Sequence, residues 1–128
     1  MPTYCPDAPH APKAIGPYSQ AVVSGGLLYL SGQIPLDPVT GEIVAGGFEA
    51  QANQVLKNLK AVLSANNSGW PQVISARIYL TDLANFQLLN RIYEEALEGA
   101  KPARATIQVS GLPRGSLVEI ELIAEIKR

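Results

Sequence analysis

From residue 20 onward, the apolar positions switch from a period of two to a period near 3.6 and back, twice over. Gln20-Ala21-Val22-Val23-Ser24 and Leu27-Leu28-Tyr29-Leu30-Ser31 read as strands, and the Gly25-Gly26 link predicts a two-residue hairpin turn. Gly32-Gln33-Ile34-Pro35 ends the second strand, and Asp37-Pro38-Val39-Thr40-Gly41 is turn material. From Phe48 to Asn66, residues Ala52, Val55, Leu56, Leu59, Val62 and Leu63 recur at helical spacing, and Asn66 to Pro71 stops that helix. Ala76, Ile78 and Leu80 alternate with Ser75, Arg77 and Tyr79, which predicts a strand. Thr81-Asp82 offers a cap for a second helix to about Gly99, with Phe86, Leu89, Ile92, Tyr93 and Leu97 on its inner side. After Lys101-Pro102, Thr106 to Val109 predicts a short strand, Leu112-Pro113-Arg114-Gly115 a turn, and Leu117 to Ile126 the longest strand.

The order is ββαβαββ: an α/β (α+β) domain with one mixed sheet and both helices in crossover connections. Crossovers of one hand put both helices on one face. The last strand turns Val118, Ile120, Leu122, Ala124 and Ile126 toward those helices, and Leu117, Glu119, Glu121, Ile123 and Glu125 away from them. Arg77 and Tyr79 join that second face. A half-apolar sheet face without a helix layer predicts association with further copies of the chain.

Residues 1–13, with four prolines, read as an extended arm, and residues 1–128 as a single domain. The composition restricts the chemistry more than it restricts the fold. A formal net charge of -1 offers no basic field for a phosphate backbone, which argues against a nucleic-acid partner. The apolar runs are far short of a membrane span and no signal-peptide pattern opens the chain. With a single cysteine, Cys5, this predicts a cytoplasmic protein with no membrane partner. One histidine, His10, and one cysteine make a zinc site or a Ser-His-acid arrangement a poor expectation. No glycine pattern fit to cradle phosphate occurs. Catalysis must draw on Arg, Glu, Tyr, Ser, Asn and backbone groups.

Four polar elements fall where strands begin or end: Ala14-Ile15-Gly16-Pro17-Tyr18-Ser19-Gln20, Ser31-Gly32-Gln33-Ile34-Pro35, Pro102-Ala103-Arg104 and Val118-Glu119-Ile120-Glu121. Each alone reads as packing or a solvated surface group. Taken in order, with Asn58-Leu59-Lys60-Ala61-Val62-Leu63, Asp82-Leu83, Phe86 and Asn90-Arg91-Ile92-Tyr93, they closely resemble the reactive intermediate deaminase family, the RidA or YjgF proteins. The resemblance implies a chorismate-mutase-like fold and a homotrimer with ligand sites between neighbouring subunits. It implies small 2-enamino and 2-imino acids as substrates, such as 2-aminoacrylate released by pyridoxal-phosphate enzymes. The products would be 2-keto acids and ammonia, and no cofactor or metal would be needed.

The chemistry of the side chains agrees with that implication. A planar, permanently charged guanidinium can grip both oxygens of a carboxylate, a role for Arg104. One carboxyl of raised pKa can move the protons of hydrolysis. Alternation leaves Glu119 and Glu121 equivalent for that task; the resemblance selects Glu119. It also implies substrate contacts from Tyr18, Ser31, Gly32, Asn90 and Thr106. Many relatives carry cysteine where this chain has Thr106; a hydrolysis that needs only water, an acid/base and an anchor tolerates the change. Two other readings stay open: a regulator that binds a small ligand in the same cleft without turnover, and a ribonuclease.

Overall fold

The computed structural model describes residues 1–127. The chain runs through β1 (Thr3–Tyr4), β2 (Ala21–Ser24), β3 (Leu27–Gln33), α1 (Gly47–Ala65), β4 (Val73–Leu80), α2 (Phe86–Leu97), β5 (Ala103–Gln108) and β6 (Val118–Glu125). One mixed sheet takes them in the order β1-β2-β3-β6-β4-β5. The expected class and element order are therefore observed, with one addition: the proline-rich arm contributes β1, which pairs antiparallel with β2. Buried Gln20 pins the arm from below. Its Oε1 accepts from the Ala8 N–H at 2.7 Å and its Nε2 donates to the Pro12 carbonyl at 2.6 Å.

Gly25 and Gly26 have φ of 59° and 80°, the paired positive values of a type I′ turn, so β2 folds directly back on β3. The helices enter where the period changes. α1 buries Phe48, Ala52, Val55, Leu56, Leu59, Val62 and Leu63 against the sheet. Facing them are Ala76, Ile78 and Leu80 of β4 and Val118, Ile120, Leu122 and Ala124 of β6. Each fully buried Leu or Val contributes on the order of 1.5–3 kcal/mol. β4 and β5 run parallel, joined through α2, while β6 lies antiparallel between β3 and β4.

Two local expectations are corrected. β5 begins at Ala103, three residues earlier than Thr106, because its register follows β4 from Ser75 onward. Arg104 is therefore a strand residue and not a loop end. Phe86, placed by periodicity on the inner side of α2, is exposed at the helix start. Leu89, Ile92, Tyr93 and Leu97 are buried as expected. Ahead of α2, Asp82 caps a short 3-10 turn by accepting from the Ala84 N–H at 2.9 Å. Among the described residues, no helix is long and apolar enough to cross a membrane.

Candidate functional site

The open face of the sheet carries the first group of polar residues. Pairing between β3 and β6 slips between Leu30 and Gln33, so Ser31 and Gly32 fall out of the ladder. Ser31 turns to the segment before β2. Its N–H donates to the Gln20 carbonyl at 2.9 Å and its hydroxyl donates to the Ser19 carbonyl at 2.6 Å. That ties Tyr18-Ser19 to the bulge, with the Tyr18 ring exposed beside it. Gly32 leaves a space that Glu119 of β6 occupies: a Cβ at residue 32 would stand 2.2 Å from Oε2 of Glu119. Only glycine leaves room for the carboxylate there.

Two buried polar residues of α1 hold the flanks of this space. Asn58 Nδ2 donates to the Leu36 carbonyl at 3.0 Å, just beyond the bulge. Gln51 Oε1 accepts from the Leu117 N–H at 2.8 Å, one residue before β6. Glu119 itself is half-buried, and no side chain among the described residues hydrogen-bonds to it. Burial first, and the nearby charge of Glu121 second, raise its pKa above the ordinary 4.5. Glu121 differs: its carboxylate accepts a short hydrogen bond from the Tyr79 hydroxyl. The same bond is the main reason the Tyr79 hydroxyl is raised. The two acids that alternation left equivalent are thus separated by their partners.

The second group lies at the other face. Arg104 pairs in register with Ala76, a fully buried residue of the helix-facing side, and parallel pairing puts both on that side. Its guanidinium stands 5.6 Å from the Phe86 ring centroid and 5.1 Å from that of Tyr93, both on α2. No carboxylate among the described residues is within ion-pair distance of it. A cavity of about 400 Å³ opens here, lined in part by Asn90, Tyr93, Pro102 and Arg104. Asn90 Oδ1, the Tyr93 hydroxyl and Thr106 Oγ1 are buried with no hydrogen-bond partner among the described residues. Such atoms are costly unless a further group meets them.

The candidate residues thus form two clusters, Tyr18-Ser31-Gly32-Glu119 and Asn90-Arg104-Thr106. They occupy opposite faces of the sheet and are separated by β4. One chain does not bring Arg104 and Glu119 together. His10 belongs to neither cluster: it lies exposed in the arm, beside Lys57 and Lys60 of α1. Cys5 is half-buried in the arm, and burial raises its thiol pKa.

Comparison with known proteins places the chain in a family. The family described as Endoribonuclease L-PSP matches residues 8–126. Protein DfrA of Myxococcus xanthus is 57% identical over 116 residues, 89% of this chain and 88% of the relative. The 2-iminobutanoate/2-iminopropanoate deaminase of Mus musculus is 48% identical over 114 residues, 89% of this chain and 84% of the relative. The crystal structure of RidA from an Antarctic Psychrobacter superposes with a TM-score of 0.89 at 44% identity, covering 94% of this chain and 97% of that one. The chain belongs to the RidA/YjgF family.

In this RidA/YjgF chain, two residues that carried the family resemblance but were given no site role, Phe86 and Tyr93, border the Arg104 cluster. A signal for them was present. Phe86, Asn90 and Tyr93 stand at i, i+4 and i+7, which is one stripe of a helix, and Asn90 was already a candidate. What concealed them was the assumption that every aromatic on that stripe faces the core.

Proposed function

We propose that this chain hydrolyses small 2-imino acids and their 2-enamino tautomers, such as 2-iminobutanoate and 2-iminopropanoate, to 2-keto acids and ammonia. The observation that carries the reading is Glu119, a half-buried carboxyl of raised pKa, without a side-chain partner, seated against Gly32. The name of the mouse relative supports the reaction class. Arg104, with no acidic partner among the described residues, grips the substrate carboxylate and sets the imine carbon at a fixed place.

Hydrolysis follows in two proton shuttles through Glu119. Ionised Glu119 takes a proton from water as the water oxygen bonds to the imine carbon and the C=N π bond opens, then gives that proton to the nitrogen, leaving a carbinolamine. Glu119 next takes the hydroxyl proton as that oxygen becomes the keto oxygen and gives it to the nitrogen as the C–N bond breaks, so that ammonia departs and Glu119 is ionised again. A carboxyl held above the usual carboxylate range exchanges protons more readily near neutral pH. Asn90, Thr106, Ser31 and Tyr18 border the space and orient the substrate.

Because Arg104 and Glu119 stand on opposite faces, a working site takes one from each of two copies. We therefore infer a cyclic homo-oligomer, a homotrimer in keeping with the family resemblance, closed through the open sheet face.

The test couples a threonine or serine dehydratase to the purified protein and follows decay of the imine and enamine absorbance. Faster decay with wild type than with Glu119→Ala or Arg104→Ala is expected. Wild type that binds a keto acid yet leaves the decay unchanged would overturn hydrolysis in favour of a ligand-binding role.

A further inference from the structure

The guanidinium of Arg104 has aromatic neighbours where an ion-pairing partner would be expected. Phe86 and Tyr93 reach it from one stripe of α2, on either side of Asn90, at 5.6 and 5.1 Å from its central carbon to the ring centroids. The two uses of a guanidinium do not compete. Stacking engages its π face, whereas carboxylate binding engages the N–H groups in its plane. A neighbouring acid would occupy those in-plane donors; an aromatic face leaves them free. Tyr93 is 8% exposed and packed in the core, while Phe86 is 37% exposed and sits at the first position of the helix. One ring is thus fixed by the fold and the other lies at the rim.

We propose that Phe86 and Tyr93 are positioning residues for Arg104: they hold its side chain against α2 with the in-plane donors turned out for a carboxylate. The inference rests on the carboxylate-binding part of the reading above, and not on hydrolysis. An arginine on an edge strand otherwise samples many rotamers, and each one lost on binding weakens the grip. Rings already in contact with the guanidinium remove that ordering cost before the ligand arrives. The effect belongs to ground-state and transition-state binding alike, so it appears in KM and in ligand affinity, with kcat little changed.

The test uses the full chain with Phe86→Leu, which keeps apolar bulk at a rim position, and Phe86→Tyr, which restores a ring. Tyr93→Phe serves as the variant that keeps the buried ring. Two readouts are taken. The first is calorimetric binding of 2-oxobutanoate, a product of the proposed reaction. Phe86→Leu should weaken it by about two- to fivefold, Phe86→Tyr should restore it, and Arg104→Ala should abolish it. The second is the ring-current shift of the Arg104 side-chain resonances by NMR, which needs no ligand. Phe86→Leu should move those resonances toward random-coil positions, and Tyr93→Phe should leave them in place. Unchanged affinity in Phe86→Leu beside a loss in Arg104→Ala would overturn the proposal while leaving the clamp intact. Arg104 resonances that do not respond to Phe86→Leu would overturn it whether or not any ligand binds. Wild type that binds 2-oxobutanoate without hydrolysing imines would remove the enzyme reading and leave the positioning role standing.

Discussion

The carboxylate of Glu119 lies in the space that Gly32 leaves by having no side chain, so that an added Cβ would stand 2.2 Å from Oε2 and 2.9 Å from Cδ. The clash falls on the end of a flexible side chain, which can swing aside at little cost. Gly32→Ala should therefore separate stability from activity. Thermal stability should change by less than about 1 kcal/mol. Imine hydrolysis should fall on the order of a hundredfold as the carboxyl is displaced by an ångström or more. Melting curves and the coupled assay on the same sample check both parts.

Glu119 should also leave its mark on stability against pH. Its folded-state pKa is raised above 4.5, chiefly by burial, so the fold favours the protonated form. Its contribution is fully present below about pH 4.5 and is lost as pH rises through the raised value. Glu119→Gln imitates the protonated form at every pH. Its melting temperature relative to wild type should therefore climb from mildly acidic to neutral pH. A difference that stays flat with pH would show that the carboxyl is not shifted.

Glu121 adds to that shift through its charge, as the second cause after burial. Glu121→Gln should move the acidic limb of the pH–rate profile to lower pH without abolishing turnover. The displacement should be partial, since burial of Glu119 persists. A profile that does not move would mean that another group sets the limb.

Opposite-face placement makes Arg104 and Glu119 separable by subunit. Arg104→Ala and Glu119→Ala chains should each be inactive alone. After co-refolding in equal amounts, about a quarter of wild-type activity should return, because a ring of heterologous interfaces then holds intact sites at that frequency. No recovery, despite mixed oligomers detected by mass spectrometry, would place both residues in one chain's site.

The hydroxyl of Thr106 is buried on the Arg104 side without a hydrogen-bond partner among the described residues, at the position where the family resemblance implies a cysteine. Since no step above uses a thiol, Thr106→Cys should change kcat/KM by less than about threefold. Steady-state kinetics decide this; a large gain would mean that a thiol takes part in the reaction.

Much of the fold was legible because periodicity is a local property. The alternation of Val118 to Glu125 named the face of every residue in β6, and the helically spaced apolar positions Ala52, Val55, Leu56, Leu59, Val62 and Leu63 defined the buried side of α1. The residue types also announced what chemistry was affordable, through one histidine, one cysteine and an arginine between alanines. The family was readable in the order of its short polar elements. What no local pattern could supply was long-range register. Pairing of Arg104 with Ala76 decides the face of the sheet on which Arg104 emerges, and the slip around Ser31-Gly32 decides which acid has room. Capture of Glu121 by Tyr79, and the contact of Phe86 with a guanidinium eighteen residues away along the chain (104 minus 86), likewise arise only when strands and helix meet. Sequence determined which groups were available and which way most of them pointed. Tertiary pairing decided which of them share a site, because register is set by contacts between segments far apart in the chain.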